Sequence, residues 1–156
     1  MNPVAIKMEL TILKAVADVF AAVKIPVPYF VAKTSGALEE GRTIEWTFPE
    51  MATPVSVKVL EVVPNRLIRM QWGSQTGGVN TCEFRFSRPQ DLNPEARPEQ
   101  DATTVSITES GWPDDEKGRA AAHGNTLGWT HMLCALKAHV EYGVNLRHGA
   151  FLHRKF

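Results

Sequence analysis

Hydrophobic and polar residues alternate through most of the chain, and elements end where the period changes. Val4, Ile6, Met8, Leu10 and Ile12 are interleaved with Ala5, Lys7, Glu9 and Thr11, which predicts a strand with one buried face. Val16, Val19, Phe20 and Val23 then fall at i, i+3, i+4 and i+7, the stripe of a short helix. Pro26 and Pro28 end it, because neither has a backbone N–H to donate and each pushes its predecessor out of the helical region. Tyr29, Phe30 and Val31 predict a second short helix with Pro28 at its first position. From Gly41 the period of two returns with Ile44, Trp46 and Phe48, then with runs over Val55–Val63 and Leu67–Trp72 joined by a Pro64-Asn65 turn. Cys82, Phe84 and Phe86 continue it, as do Val105 and Ile107 in a strand from Thr103 to Thr108. Successive strands of this kind form an antiparallel sheet with one wet and one buried face.

Two segments depart from that rhythm. Residues 89–102 hold three prolines and five charged residues, too little apolar surface to offset the entropy of ordering them, and predict a long mobile hairpin loop. From about Asp114 to about Asn145 the pattern is helical. Asp114, Asp115 and Glu116 put negative charge at the positive end of the helix dipole, while Gly118 and Gly124 weaken the first turns. Trp129, Met132, Leu133, Leu136 and Val140 share one face, and Gly143 closes the helix. Leu127, His131, Cys134 and Ala138 form an opposite stripe, less polar than a solvated face, which points to a partner surface such as that of a homodimer.

This order of elements is an α+β arrangement. Only the terminal helix, about 30 Å over some twenty residues, is long enough to cover the buried face of the sheet. A curved sheet around one helix leaves a volume between them. Trp46, Phe48, Met70, Trp72, Phe84, Phe86, Trp129 and Leu133 face that volume.

The chain of 156 residues falls within the range of one domain, and residues 1–156 are read as such. Seventeen basic residues balance seventeen acidic ones, which excludes a protein built mainly to grip nucleic-acid phosphates or anionic lipid. Lys7 and Glu9 interrupt the apolar N-terminal stretch, unlike a secretory signal, and no apolar run reaches the roughly 18 residues of a membrane span. A cytoplasmic protein without membrane insertion is expected, with Cys82 and Cys134 as two buried thiols in a reducing compartment.

Several candidate chemistries fail on spacing. His123, His131 and His139 are eight residues apart, about 12 Å along a helix, so no two share a metal ion, and no cofactor is called for. No Gly-x-Ser-x-Gly elbow is present. Gly73-Ser74-Gln75-Thr76-Gly77-Gly78 lacks the Gly-Lys-Ser/Thr ending of a phosphate loop and reads as a flexible turn. The basic tail, Arg147, His148, His153, Arg154 and Lys155 with Phe151 and Phe156, is too narrow for a nucleic-acid site. Glu109 is the titratable group of most interest, because it continues the inward phase of Val105 and Ile107. There it either binds or protonates a ligand, as the single weak catalytic candidate, or accepts backbone hydrogen bonds near the helix start.

Four segments carry a resemblance. Leu38-Glu39-Glu40-Gly41, Glu61-Val62-Val63-Pro64-Asn65-Arg66, Ile107-Thr108-Glu109-Ser110-Gly111-Trp112 and Gly124-Asn125-Thr126-Leu127-Gly128-Trp129-Thr130-His131-Met132-Leu133 resemble bacterial proteins of the heat-shock-protein-90 ATPase activator-like family. That family belongs to the START-like (SRPBCC) helix-grip superfamily. The resemblance implies a seven-stranded antiparallel sheet (six or seven being common) gripping the C-terminal helix, with an apolar cavity between them. It implies no particular reaction. The Ile25-Pro26-Val27-Pro28 stretch and the 89–102 loop depart from the family, where cavity entrances usually lie.

The reading that results is a binding protein for a small hydrophobic molecule such as a lipid. Trp46, Phe48, Met70, Trp72, Phe84, Trp112, Trp129 and Leu133 are the expected lining, with Glu109 and Asn125 as polar anchors. The alternatives are a polyketide-cyclase-type enzyme in which Glu109 transfers a proton, and a chaperone-associated module using the outer stripe of the helix.

Overall fold

The computed structural model describes residues 3–154, so Lys155 and Phe156 of the basic tail lie outside the described residues. Strands β1 (Val4–Ile12), β2 (Lys33–Thr34), β3 (Thr43–Thr47), β4 (Val55–Val63), β5 (Leu67–Gly73), β6 (Val79–Ser87) and β7 (Thr103–Trp112) pair antiparallel in one sheet. Their spatial order is β1-β7-β6-β5-β4-β3-β2, so the chain's first strand closes against its last. Helices α1 (Val16–Lys24), α2 (Pro89–Leu92) and α3 (Glu116–Tyr142) complete the fold, with α3 lying against β1 and β7 and touching α1.

The register puts the predicted apolar positions on one face. Met8 lies opposite Ile107, Ile107 opposite Phe84, and Phe84 opposite Ile68, so one apolar row crosses four strands. In the next row Ile6, Glu109, Cys82, Met70 and Val59 follow one another, which sets a single carboxylate among apolar neighbours. α3 covers these rows with Ala122, Trp129, Met132, Leu133, Ala135 and Leu136, the face that the sequence predicts. Its Asp115 cap accepts from the Gly118 N–H at 2.7 Å. Gly143, at φ +67°, turns the chain out of the helix.

Several expectations need correction. Residues 27–30 form a turn, in which Val27–Pro28 is cis, and not a helix. Pro28 cannot donate, and the Phe30 and Val31 N–H groups both reach the Pro26 carbonyl, so no helical ladder propagates. β7 runs on to Trp112, and the two-residue edge strand β2 is too short to leave a periodic signal. The 89–102 connection, expected as a long mobile hairpin loop, opens with the short helix α2, at whose start the Asp91 carboxylate accepts from the Arg88 backbone N–H at 3.1 Å, and Gln100 donates to the Leu13 carbonyl at 2.8 Å. Cys134 is exposed; only Cys82 is a buried thiol. Gly118 does not merely weaken α3: a Cβ there would lie 1.9 Å from the Pro113 carbonyl oxygen, so close approach demands glycine.

Candidate functional site

The expected space between sheet and helix is filled over much of its extent. Trp46, Met70, Phe84 and Leu133, read from the sequence as lining, are buried in the core. Phe30, Trp129 and Trp72 stack in sequence, with ring centroids 5.3 Å apart at each step and interplanar angles of 23° and 27°. Phe84 packs edge-on against Trp129 and Trp46 edge-on against Trp72. The aromatic rings therefore build a floor, not the walls of an enclosed chamber.

Above that floor one end stays open. A cleft of about 360 Å³ lies where the β3–β4 connection, the β5–β6 turn, the first half of α3 and the C-terminal segment meet. Of the residues expected to line a site, Phe48, Trp72, Asn125 and Trp129 reach it. Phe30, Met51, Val55, Gly124, Gly128 and Phe151 add apolar surface, and Ser74, Gln75, Glu50, His131, Arg147 and Arg154 add polar groups. Neither the Ile25–Pro28 stretch nor the 89–102 connection lines it, so the entrance lies elsewhere than expected. The 89–102 segment joins the far ends of β6 and β7, where it borders a second hollow of about 350 Å³ with no aromatic side chain in its lining.

Glu109 lies behind the aromatic floor, fully buried and not in the cleft. Its Oε2 accepts from Trp72 Nε1 at 2.7 Å and Asn80 Nδ2 at 3.0 Å; its Oε1 accepts from Trp129 Nε1 at 2.8 Å and Asn125 Nδ2 at 2.9 Å. None of the four donors is a backbone N–H, so the expected structural alternative takes a different form. An indole N–H can only donate, so the constellation suits an acceptor-only carboxylate, whose lone pairs the four donors occupy. One side chain thus fixes the planes of both stacked indoles and the amide of Asn125. Burial first, and the neighbouring Glu109 charge second, push the Cys82 thiol well up, which keeps it inert. Trp112 is buried outside the cleft and makes a long 3.5 Å contact from its Nε1 to Gln75 Oε1.

A bulge aims this arrangement. Gly111 stands at φ +133°, and a Cβ there would lie 2.5 Å from Asn80 Oδ1 and 2.8 Å from the Val79 carbonyl oxygen. Without a side chain at 111, Asn80 can hold its amide on Glu109. The helix-side wall is the opposite case. Gly124 and Gly128 meet nothing within 4 Å of a built Cβ, so no protein neighbour requires glycine at either. At the mouth, Gln75 Nε2 donates to Asn125 Oδ1 at 2.9 Å and ties the β5–β6 turn to α3.

The far end of the cleft is one that sequence reasoning missed. Arg147, only 5% exposed, donates from Nε to the Phe30 carbonyl at 3.1 Å and grips the Glu50 carboxylate through both terminal nitrogens. That pairing holds the Glu50 carboxyl below the usual carboxylate range. Phe151 lies under both Arg147 and Arg154, with guanidinium carbons 5.0 and 4.4 Å from its ring centroid, and packs edge-on against His131 at 5.0 Å. Burial first, and the Arg147 charge second, push the His131 imidazole below its ordinary value. His131 Nε2 is buried without a hydrogen-bond partner among the described residues. The tail hides this histidine, so His131 is not part of a free outer stripe. A contact between Glu50 and Arg147, 97 residues apart, leaves no local signal in the sequence.

No group of three His, Cys, Asp or Glu side chains among the described residues could hold a metal ion, and no described helix is long and apolar enough to cross a membrane. The family model described as activator of Hsp90 ATPase homolog 1-like protein matches residues 18–141. Among solved structures, the chain is similar to protein SSP2350 from Staphylococcus saprophyticus at 24% identity and a TM-score of 0.73, covering 92% of this chain and 96% of that one. It is similar to the Aha1 dimer from Colwellia psychrerythraea at 23% identity and a TM-score of 0.68, covering 90% and 98%. A third likeness is to DynU16, a protein of the dynemicin biosynthetic locus, at 15% identity and a TM-score of 0.71, covering 90% of this chain and 48% of that one. These likenesses show a shared fold. No curated protein sequence matches the chain.

Proposed function

The chain belongs to the activator of Hsp90 ATPase homolog 1-like family, and from that premise we propose that it binds a small, largely apolar molecule in the cleft between sheet and α3, without transforming it. The observation that carries this reading is the bare helix wall. Glycine inside a helix costs about 1 kcal/mol relative to alanine. α3 bears that cost at Gly124 and Gly128, although no neighbour would touch a side chain at either position. The space they leave opens onto Trp72, Trp129 and Phe48, and its volume suits a small organic ligand. The acid on which the polyketide-cyclase-type reading rests, Glu109, has both oxygens engaged behind the floor and does not face the cleft, which favours binding without turnover by that group.

The test uses N-phenyl-1-naphthylamine, a neutral aromatic probe, with energy transfer from tryptophan as the readout. Wild-type protein should bind it saturably. Gly128→Leu, which fills the cleft from the helix side, should lower the affinity at least tenfold while the melting temperature holds or rises. Unchanged binding in that variant would overturn the proposal.

The exposed Leu127, at 52%, and Cys134 give α3 a partly apolar outer surface. With the Colwellia relative a dimer, this surface supports self-association as a further property. Sedimentation of wild type against Leu127→Glu tests it; a wild-type monomer at tens of micromolar overturns it.

A further inference from the structure

The two ends of the cleft differ in chemistry, and the difference bears on the class of ligand. At the β5–β6 end the polar groups are neutral: Ser74, Gln75 and Asn125. At the C-terminal end two guanidiniums, Arg147 and Arg154, stand against one carboxylate, Glu50. Arg147 uses both terminal nitrogens on that carboxylate, so the pair is internally balanced. The positive charge of Arg154 remains. It makes no ion pair within 4 Å among the described residues, and its guanidinium carbon sits 4.4 Å from the Phe151 ring centroid. In a chain whose formal charges sum to zero, this leaves a localised positive excess beside an apolar surface, where poor solvation strengthens its field. A guanidinium resting over an aromatic ring has less freedom to lose on pairing with an oxyanion.

We infer that the cleft selects a planar aromatic molecule bearing one anionic group, the rings lying over Trp72 and against the bare Gly124–Gly128 wall and the anion meeting Arg154. This inference rests on the binding reading above and adds the ligand's charge and orientation to it. Planarity is inferred from the lining: Gly124 and Gly128, one helical turn apart and bare of side chains, share the cleft with the Trp72 indole. A single negative charge follows from the count of two cations and one anion at the far end.

Two probes with the same ring system separate the inferences. 8-Anilino-1-naphthalenesulfonate carries an anion that N-phenyl-1-naphthylamine lacks. Arg154→Gln should weaken the sulfonate about tenfold and leave the neutral probe within twofold of wild type. Arg154→Glu should weaken the sulfonate further. Raising salt from low to about 0.5 M should weaken only the sulfonate, because screening acts on the charged contact. If Arg154→Gln changes both probes equally, or neither, the charge selection is wrong while the binding reading survives. If neither probe binds wild type, or both still bind Gly128→Leu undiminished, the binding reading itself fails and this inference with it. Arg154 is half-buried against Phe151, and an unaltered melting temperature in both variants confirms that the comparison reads binding and not folding.

Discussion

Glu109 is the residue on which the floor of the cleft depends. Burying a carboxylate is costly unless each oxygen is satisfied, and here two indoles and two carboxamides do so. Glu109→Gln keeps the shape but sets an NH₂ against two donors. It should destabilise the protein by about 2–4 kcal/mol, read from denaturant unfolding, and should shift the tryptophan emission. A variant as stable as wild type would show that the indole N–H groups do not need this acceptor. Gly111→Ala acts on the same hub through Asn80. The strained φ and the approach to the Val79 carbonyl predict a loss of about 3 kcal/mol. Three groups with shifted titration shape the acid response. His131 binds a proton less readily folded than unfolded, so stability falls as pH drops below about 6.5, the unfolded value, towards the folded one. Glu50, paired with Arg147, and Glu141 of α3, which accepts from Lys137 Nζ and the Leu13 N–H, have lowered values, so their contribution is present above about 4.5 and is lost as pH falls through their folded values. His131→Gln should remove the first phase of a pH–stability curve and leave the second.

At the scale of elements, α3 carries two kinds of glycine that composition cannot tell apart. Gly118 is forced by the Pro113 carbonyl, whereas Gly124 and Gly128 face open space. Gly124→Ala should therefore stabilise the fold by about 1 kcal/mol, and Gly118→Ala should destabilise it severely, as thermal melts would report. The strands and the buried face of α3 were legible because each depends on a local period that packing enforces. Ile68, Met70 and Trp72, or Trp129, Met132, Leu133 and Leu136, keep their phase wherever they sit in space. The turn at 27–30, the edge strand β2 and the capped start of the 89–102 connection each depend on a few hydrogen bonds over too few residues to leave a period. The candidate site was half legible for the same reason. Inward aromatic residues were found, but which of them form core and which line space depends on how far α3 stands off the sheet. The C-terminal segment, read only as a basic tail too narrow for a nucleic-acid site, folds back through Arg147, Glu50 and Phe151 by contacts no local pattern encodes.

As a whole molecule the protein combines neutral net charge with an uneven interior. One end of the sheet–helix interface is packed with rings; the other is held open by glycine and bounded by arginine. Arg147→Ala would leave the Glu50 carboxylate and the Phe30 carbonyl without their partner and should cost about 3 kcal/mol, with release of the C-terminal segment visible as faster hydrogen exchange over residues 145–154. The most direct test of the cleft as a ligand site is a ¹H–¹⁵N correlation titration of the full chain with N-phenyl-1-naphthylamine. The amide signals of Gly73, Gly124 and Gly128 and the indole N–H of Trp72 should move together and saturate, while those of α1 and residues 89–102 stay fixed. Absence of saturable shifts, or shifts gathered on the hollow beside Ala15 and Arg88, would contradict the account.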